Sequence, residues 1–130
     1  MHVASTKTDA WQDRTGSAIF TGQVHAHGLI DDKMTEEMRM LLVKFSPGGR
    51  TTWHRHTFEQ GLVIVEGKGI VASESQGERV VEAGDVVVFA KGEKHWHGAT
   101  NTTGMTHIAV NLAGTSEVLE PVENIETPGV

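Results

Sequence analysis

The sequence predicts an all-β domain, and three observations carry that expectation. Glycine punctuates the chain at short intervals from Gly16 to Gly114. The runs between glycines are brief and rich in Val, Ile, Leu, Thr and Phe. No segment keeps a helical apolar period for long. Short β-branched runs bounded by turn residues read as strands joined by tight turns. With 130 residues the chain suits one domain, 1–130, with a barrel core over about 18–112 and an acidic tail over 114–130.

In chain order, "AIFTGQVH" gives the first expected strand, 18–25. "DDKMTEEMRM" has room for one helical turn near Thr35 but reads better as the approach to a strand at 38–45, "MRMLLVKF". "TTWHRH" follows at 51–56, after the turn signal Pro47-Gly48-Gly49. Gly67 separates two apolar runs, 61–66 and 69–74, and Gly77 and Gly84 frame a third at 78–81. "DVVVF" at 85–89, "HWHGA" at 95–99 and "THIAVNL" at 106–112 complete the set. The tail carries Glu117, Glu120, Glu123 and Glu126 with no basic residue, and its interleaved Val118, Leu119, Val122 and Ile125 favour docking on the barrel or a partner. Strands of this number and spacing form a sandwich, jelly roll or barrel.

Composition narrows the function. No cysteine is present, so disulfides and thiolate ligands are excluded, as suits a reducing compartment. The polar N-terminus and the lack of a long apolar run favour a cytoplasmic protein with no membrane partner. Net charge is −6 without a Lys/Arg cluster, which argues against nucleic acid. The compositional anomaly is eight histidines in a chain without tyrosine.

Strand parity turns histidine spacing into geometry, because residues two apart share a face. His54 and His56 point together, while Trp53 and Arg55 point away. A turn at 57–59 lets Gln60 open the next strand with its side chain inward, beside Leu62 and Ile64. His95 and His97 form a second such pair, and His107 shares a face with Met105, Ala109 and Asn111. Five histidines can therefore converge inside one barrel. His2, His25 and His27 read as surface residues, since the "HAH" pair has no second group of partners.

The order of these residues resembles the cupin motifs. "GGRTTWHRHTFEQGLVIVEG" fits the first, from Gly48 through the H-x-H pair and position 60 to Gly67, with Gln60 where the family usually has glutamate. "GDVVVFAKGEKHWHGATN" resembles the second, from Gly84 to Gly92 and His95, with Ala90 in place of the usual proline and Ala99 in place of asparagine. The resemblance implies a double-stranded β-helix, or jelly-roll barrel. It maps four metal ligands onto His54, His56, Gln60 and His95. Such an imidazole-rich set with one oxygen donor suits Mn, Fe, Co, Ni or Zn. A neutral amide at position 60 leaves the full ionic charge uncancelled, which favours Lewis acidity, or it serves only to fix geometry.

A closer resemblance extends over roughly 18–112. "FTGQV", "PGGRTTWHRH" and "GEKHWHGATNTTGMTHIAV" are similar to small bacterial cupins with hydroxynitrile lyase activity. That group implies one divalent ion per chain, typically manganese, and R-selective cleavage or formation of cyanohydrins. It implies catalytic roles for His107 in proton transfer and for His97 beside it, with Thr51 and Asn111 in the substrate pocket. Asn111 stands where the lyases carry a longer amide. "TFE" between the ligands places charged Glu59 where a small or apolar residue is expected, and "FEQ" is similar to sugar-acid cupins acting on unsaturated uronates. The alternatives are thus a metal-dependent dioxygenase, a uronate-converting enzyme and a non-catalytic small-molecule-binding module. A uronate enzyme would need Arg39 or Arg50 to face inward. The resemblance also favours a homodimer or higher homo-oligomer. Short strands near the N-terminus and the apolar positions of the tail mark the expected partner surface, with Trp53 and Trp96 packed between barrel and partner.

Overall fold

The computed structural model describes residues 1–125. Among these residues there is no helix, and none is therefore long and apolar enough to cross a membrane. Among the described residues, twelve strands form two sheets that share one long strand. The first sheet runs from β1 (Gln12–Asp13) through β3 (Val24–Ile30), β4 (Met38–Phe45) and β11 (Met105–Leu112) to the N-terminal half of β7 (Gln60–Ser73), with β9 (Val86–Phe89) beyond it. In the second sheet, the C-terminal half of β7 pairs with β8 (Gly77–Glu82) and β10 (His95–Ala99). There β10 pairs with β5 (Arg50–Thr51) and β6 (His54–His56), β5 with β2 (Phe20–Thr21), and β6 with β12 (Ser116–Val118). This is the curled, all-β jelly-roll arrangement that the sequence implied.

Three strand boundaries differ from expectation, each for a local reason. The two runs expected at 61–66 and 69–74 are one 14-residue strand. It changes sheet at Gly67, which takes φ 78°, and a Cβ there would lie 2.1 Å from the Gly104 carbonyl oxygen. Only glycine fits such an approach. The single strand expected at 18–25 is broken at Gly22, which takes φ 79°, so β2 and β3 lie in different sheets. The run at 51–56 divides at Thr52-Trp53, whose amides donate to Ile19 O and Glu120 O instead of to a ladder partner.

Side chains follow the expected parity. Leu62, Ile64, Val43, Phe45, Met105 and Ala109 meet Ala99, Val71 and Phe89 between the sheets. A smaller cluster lies outside the second sheet, where Ile70, Ala72 and Trp96 are covered by Val122 of the tail, with Ile125 and Trp53 at its margin. Trp96 is 1 % exposed. The expectation that it packs against a partner chain is therefore corrected, because the protein's own tail fills that role. The tail docks by named contacts. Arg50 donates from Nε and Nη2 to Val122 O, Arg55 pairs with Glu117, and Lys94 pairs with Glu120 and Glu74. Glu126 lies outside the described residues.

Candidate metal centre

The ligand strands are held side by side by backbone pairing. His54 lies directly opposite His95 in the ladder between β6 and β10, so their side chains share the inner face. Gly92, at φ 74° in the turn before His95, donates its N–H to His56 O and ties the two motif loops together. Gln60 opens β7 with its side chain buried. All five expected histidines converge and all are buried. Ring centroids lie 4.2 Å apart for His54–His95, 4.9 Å for His54–His56, 5.2 Å for His56–His95 and 4.8 Å for His97–His107.

Three rings are oriented by their Nδ1 atoms. His54 Nδ1 donates to Thr52 O at 2.8 Å and His95 Nδ1 to Glu93 O at 2.8 Å. A carbonyl can only accept, so both rings carry their lone pair on Nε2 when neutral. His56 Nδ1 meets Ser116 Oγ at 2.7 Å, leaving Nε2 buried and without a partner. Such outward Nδ1 bonds are how proteins fix the tautomer and direction of metal-ligating imidazoles. His95 Nε2 also faces Gln60 Oε1 at 3.0 Å, while Gln60 Nε2 donates to Asn111 Oδ1 at 2.9 Å. As placed, that contact sets lone pair against lone pair. A cation between them satisfies both atoms; a joint flip of the Gln60 and Asn111 amides does so without one. His56 Nε2 lies buried beside the Gln60 side chain, and this set of imidazoles with one amide fits a divalent ion.

Three buried histidines, His54, His95 and His97, each bring one nitrogen within 4.8 Å of the others and could hold an ion. The sequence reading placed His97 outside the ligand set and His56 and Gln60 inside it. His97 Nδ1 is already engaged with His107 Nε2 at 3.1 Å. His97 Nε2 and His107 Nδ1 are buried and unpartnered. Phe45 packs against both rings. Thr51 is buried, its Oγ accepting from the His97 N–H at 3.1 Å. Asn111 is half-buried beside Gln60.

Burial sets the electrostatics. It lowers His54 to about 4, against the hydrogen bond that His54 donates to Thr52 O, which raises it. It lowers His95 and His107 each to about 3, and holds His97 and His56 below the ordinary histidine range. Burial thus keeps all five rings neutral at neutral pH. In the unfolded chain these histidines take up protons near pH 6.5, while folded His54, His95 and His107 resist until pH 3–4. The unfolded state therefore binds more protons in that window, and stability falls as pH falls. Each of these three rings contributes up to about 1.4 kcal/mol per pH unit in that window. Urea unfolding of metal-free protein is expected to show a midpoint that drops steeply from pH 6.5 to 5. A midpoint flat until the carboxylate range would contradict this.

Several positioning residues were not legible in the sequence. Phe58 stacks on His56 at 4.7 Å and 14°, and Phe89 on His95 at 3.9 Å and 19°. Parity with Val87 was the one available signal for Phe89. Ser116 lies sixty residues from His56 in sequence, and no local pattern links them. Replacing Ser116 with Ala is expected to weaken divalent-ion binding by about 10-fold. Isothermal titration with Mn would read this, and Ser116→Thr should restore it. A cleft of about 370 Å³ opens between β8 and β9, walled by Val71, Val81, Val87 and Phe89. It shares the Phe89 ring with His95.

Residues 41–111 match the family model described as the cupin domain. The chain belongs to the cupin family. Over 106 residues, 82 % of this cupin and 81 % of the relative, it is 37 % identical to an (R)-mandelonitrile lyase of Granulicella tundricola. A cupin-like protein of Thermotoga maritima superposes with TM-score 0.75 at 29 % identity, covering 93 % of this cupin and 88 % of that chain. A polyketide cyclase of Streptomyces resistomycificus superposes with TM-score 0.76 at 18 % identity, covering 98 % and 90 %, a likeness of fold alone. A relative named as a lyase, together with the buried histidine cluster, supports an enzyme.

Proposed function

We propose that this cupin is a divalent-metal-dependent lyase that cleaves or forms cyanohydrins, with the R selectivity named in its relative. The observation that carries the reading is the buried His97–His107 pair beside the inward-facing imidazoles, with one free nitrogen on each ring. His54, His56, Gln60 and His95 are assigned as the ligands on the cupin resemblance, with the unpartnered His56 Nε2 in support, while His97 is given to the pair it forms with His107 through Nδ1. Manganese is the assigned ion, on the resemblance to manganese-dependent cupin lyases. A divalent ion held by these residues supplies Lewis acidity at the substrate hydroxyl, uncancelled because Gln60 is neutral.

The chain's own groups account for the proton balance. One free nitrogen of the His97–His107 pair takes the hydroxyl proton, which a neutral imidazole can do at pH 7. The O–H electron pair becomes the carbonyl π bond. The carbon–carbon bond to the nitrile breaks with its pair on cyanide. The imidazolium then returns a proton, so an aldehyde or ketone and hydrogen cyanide leave. Phe45 and Phe89 keep the pair dry. The cysteine-free chain suits the cytoplasm as the place of this reaction.

A uronate-converting reading is kept alive by Arg39, which lies opposite Asn111 in the ladder and so shares its face. Against it, the Arg39 guanidinium is held by the carbonyls of Thr35, Glu36 and Met38, and Arg50 is turned to the tail. Reconstituted protein should release cyanide from mandelonitrile and leave unsaturated uronates untouched. No cleavage with any divalent ion would defeat the lyase reading.

A further inference from the structure

We infer that the cleft between β8 and β9 is a binding site for a small organic anion, a monocarboxylate with an apolar or aromatic body. Strand register supplies its one cation. Val71 and Val81 belong to the core, so the face of β8 that carries Val81 is the inner one. Arg79 lies two residues before Val81 and shares that face. It stands opposite Val71, and Val71 stands opposite His97, so the three form one inward row across β8, β7 and β10. The Arg79 side chain accordingly lines the cleft. "GERVVE" thus sends Val80 out, 41 % exposed, and an arginine in, the reverse of what solvent alone would select. No carboxylate claims that arginine. Among the described residues its guanidinium has no ion pair and no hydrogen bond. The two acids on the cleft wall are held by turn amides instead. Asp85 Oδ2 accepts from the Glu82 N–H at 2.8 Å, and Glu93 Oε1 from the Ala90 N–H at 2.9 Å.

The chemistry of the cleft selects its ligand. Both bounding strands pair only with β7, so the cleft is the open seam between the two sheets and is reached from solvent. Its volume of about 370 Å³ lies in the range of small-molecule sites. Val71, Val81, Val87 and Phe89 give it apolar walls. A planar guanidinium matches a carboxylate with two parallel N–H···O bonds. One guanidinium against two carboxylates favours a ligand with a single negative charge. A phosphate group would meet Asp85 and Glu93 as like charges, which selects against it. One forked donor among valines and a phenyl ring therefore fits a carboxylate on a body about the size of benzoate. The Phe89 wall also stacks on His95 at 3.9 Å, so an occupant would rest on the ring that holds a metal-centre imidazole. Val71 and Phe89 stand between Arg79 and the imidazoles, which makes this a separate site. It needs no ion and no lyase step, and it stands if the cyanohydrin reading fails.

Methyl NMR titration of benzoate into the protein at neutral pH, as purified and after zinc loading, tests this. Benzoate should shift the Val71, Val81 and Val87 methyls saturably in both samples. Benzamide, its neutral counterpart, should bind about 10-fold more weakly, and inorganic phosphate should leave these methyls unmoved. Arg79→Gln should weaken benzoate by about 10-fold and leave benzamide unchanged. Its spectrum should otherwise match the parent's, because Arg79 is exposed and holds no other group. Arg79→Lys, a charge without the fork, should fall between the two. Binding at the metal centre alone gives a different pattern, with shifts that require zinc and persist in Arg79→Gln. That pattern overturns the inference. So does equal binding of benzoate and benzamide, phosphate binding in place of benzoate, or no saturable shift. Arg79 is then only a charge that guards the free edge of β8 against strand pairing.

Discussion

After reconstitution with Mn, Fe, Ni or Zn, His95→Ala is expected to retain no divalent ion, against about one per chain in the parent. His95 is the ligand that the second motif contributes, and its place is fixed from three sides. Its Nδ1 is held by Glu93 O, its ring lies on Phe89, and its backbone pairs with that of His54. Removing it opens the cluster on the β10 side and leaves Gln60 Oε1 facing the gap. Losing an outer-shell partner costs about 10–100-fold in metal affinity; losing a ligand should exceed that. Elemental analysis after desalting reads the result. His54→Ala should behave alike, whereas His97→Ala separates the two ligand sets. Retention of metal without His97 supports the set with His56 and Gln60; complete loss would install His97 as a ligand. A neutral ring buried here gains nothing from protonation in the metal-free state, so the fold itself should survive in His95→Ala, less a cavity cost of a few kcal/mol.

The site was legible wherever strand parity governs. H-x-H pairs, Gln60 at a strand start and His107 in step with Asn111 all follow from a period of two, and the structure brings each to the inner face. The motif glycines Gly48, Gly84 and Gly92 were legible as turns, and all take positive φ. Three things were not. That β7 is one strand crossing between sheets is a tertiary fact, because the sequence signal of Gly67 is the same for a bend as for a break. The hydrogen bond from His56 to Ser116 depends on a tail strand that pairs only once β6 exists. The depressed pKa of the histidines depends on burial by Phe45, Phe58 and Phe89, which spacing alone does not measure.

His107→Ala is expected to lower cyanohydrin cleavage by roughly 10²–10⁴ while leaving metal content intact, the usual contribution of a positioned acid or base. His107 is fully buried, its Nε2 bonded to His97 Nδ1 and its Nδ1 free. Without it the pair loses one of its two free nitrogens, and His97 loses the neighbour that fixes its ring. A purely structural His107 predicts a different pattern. The metal cluster would loosen, affinity would fall by about 10–100-fold, and saturating metal would restore the rate. Measuring cleavage at saturating manganese therefore separates the roles. Because Ala leaves a cavity against Phe45, His107→Gln serves as the companion variant, filling most of the volume while lacking a titratable nitrogen. If both variants hold metal and both lose the rate, His107 moves the proton. If His107→Gln cleaves mandelonitrile at the parent's rate, the proton takes another path, and His97 Nε2 becomes the group to replace next.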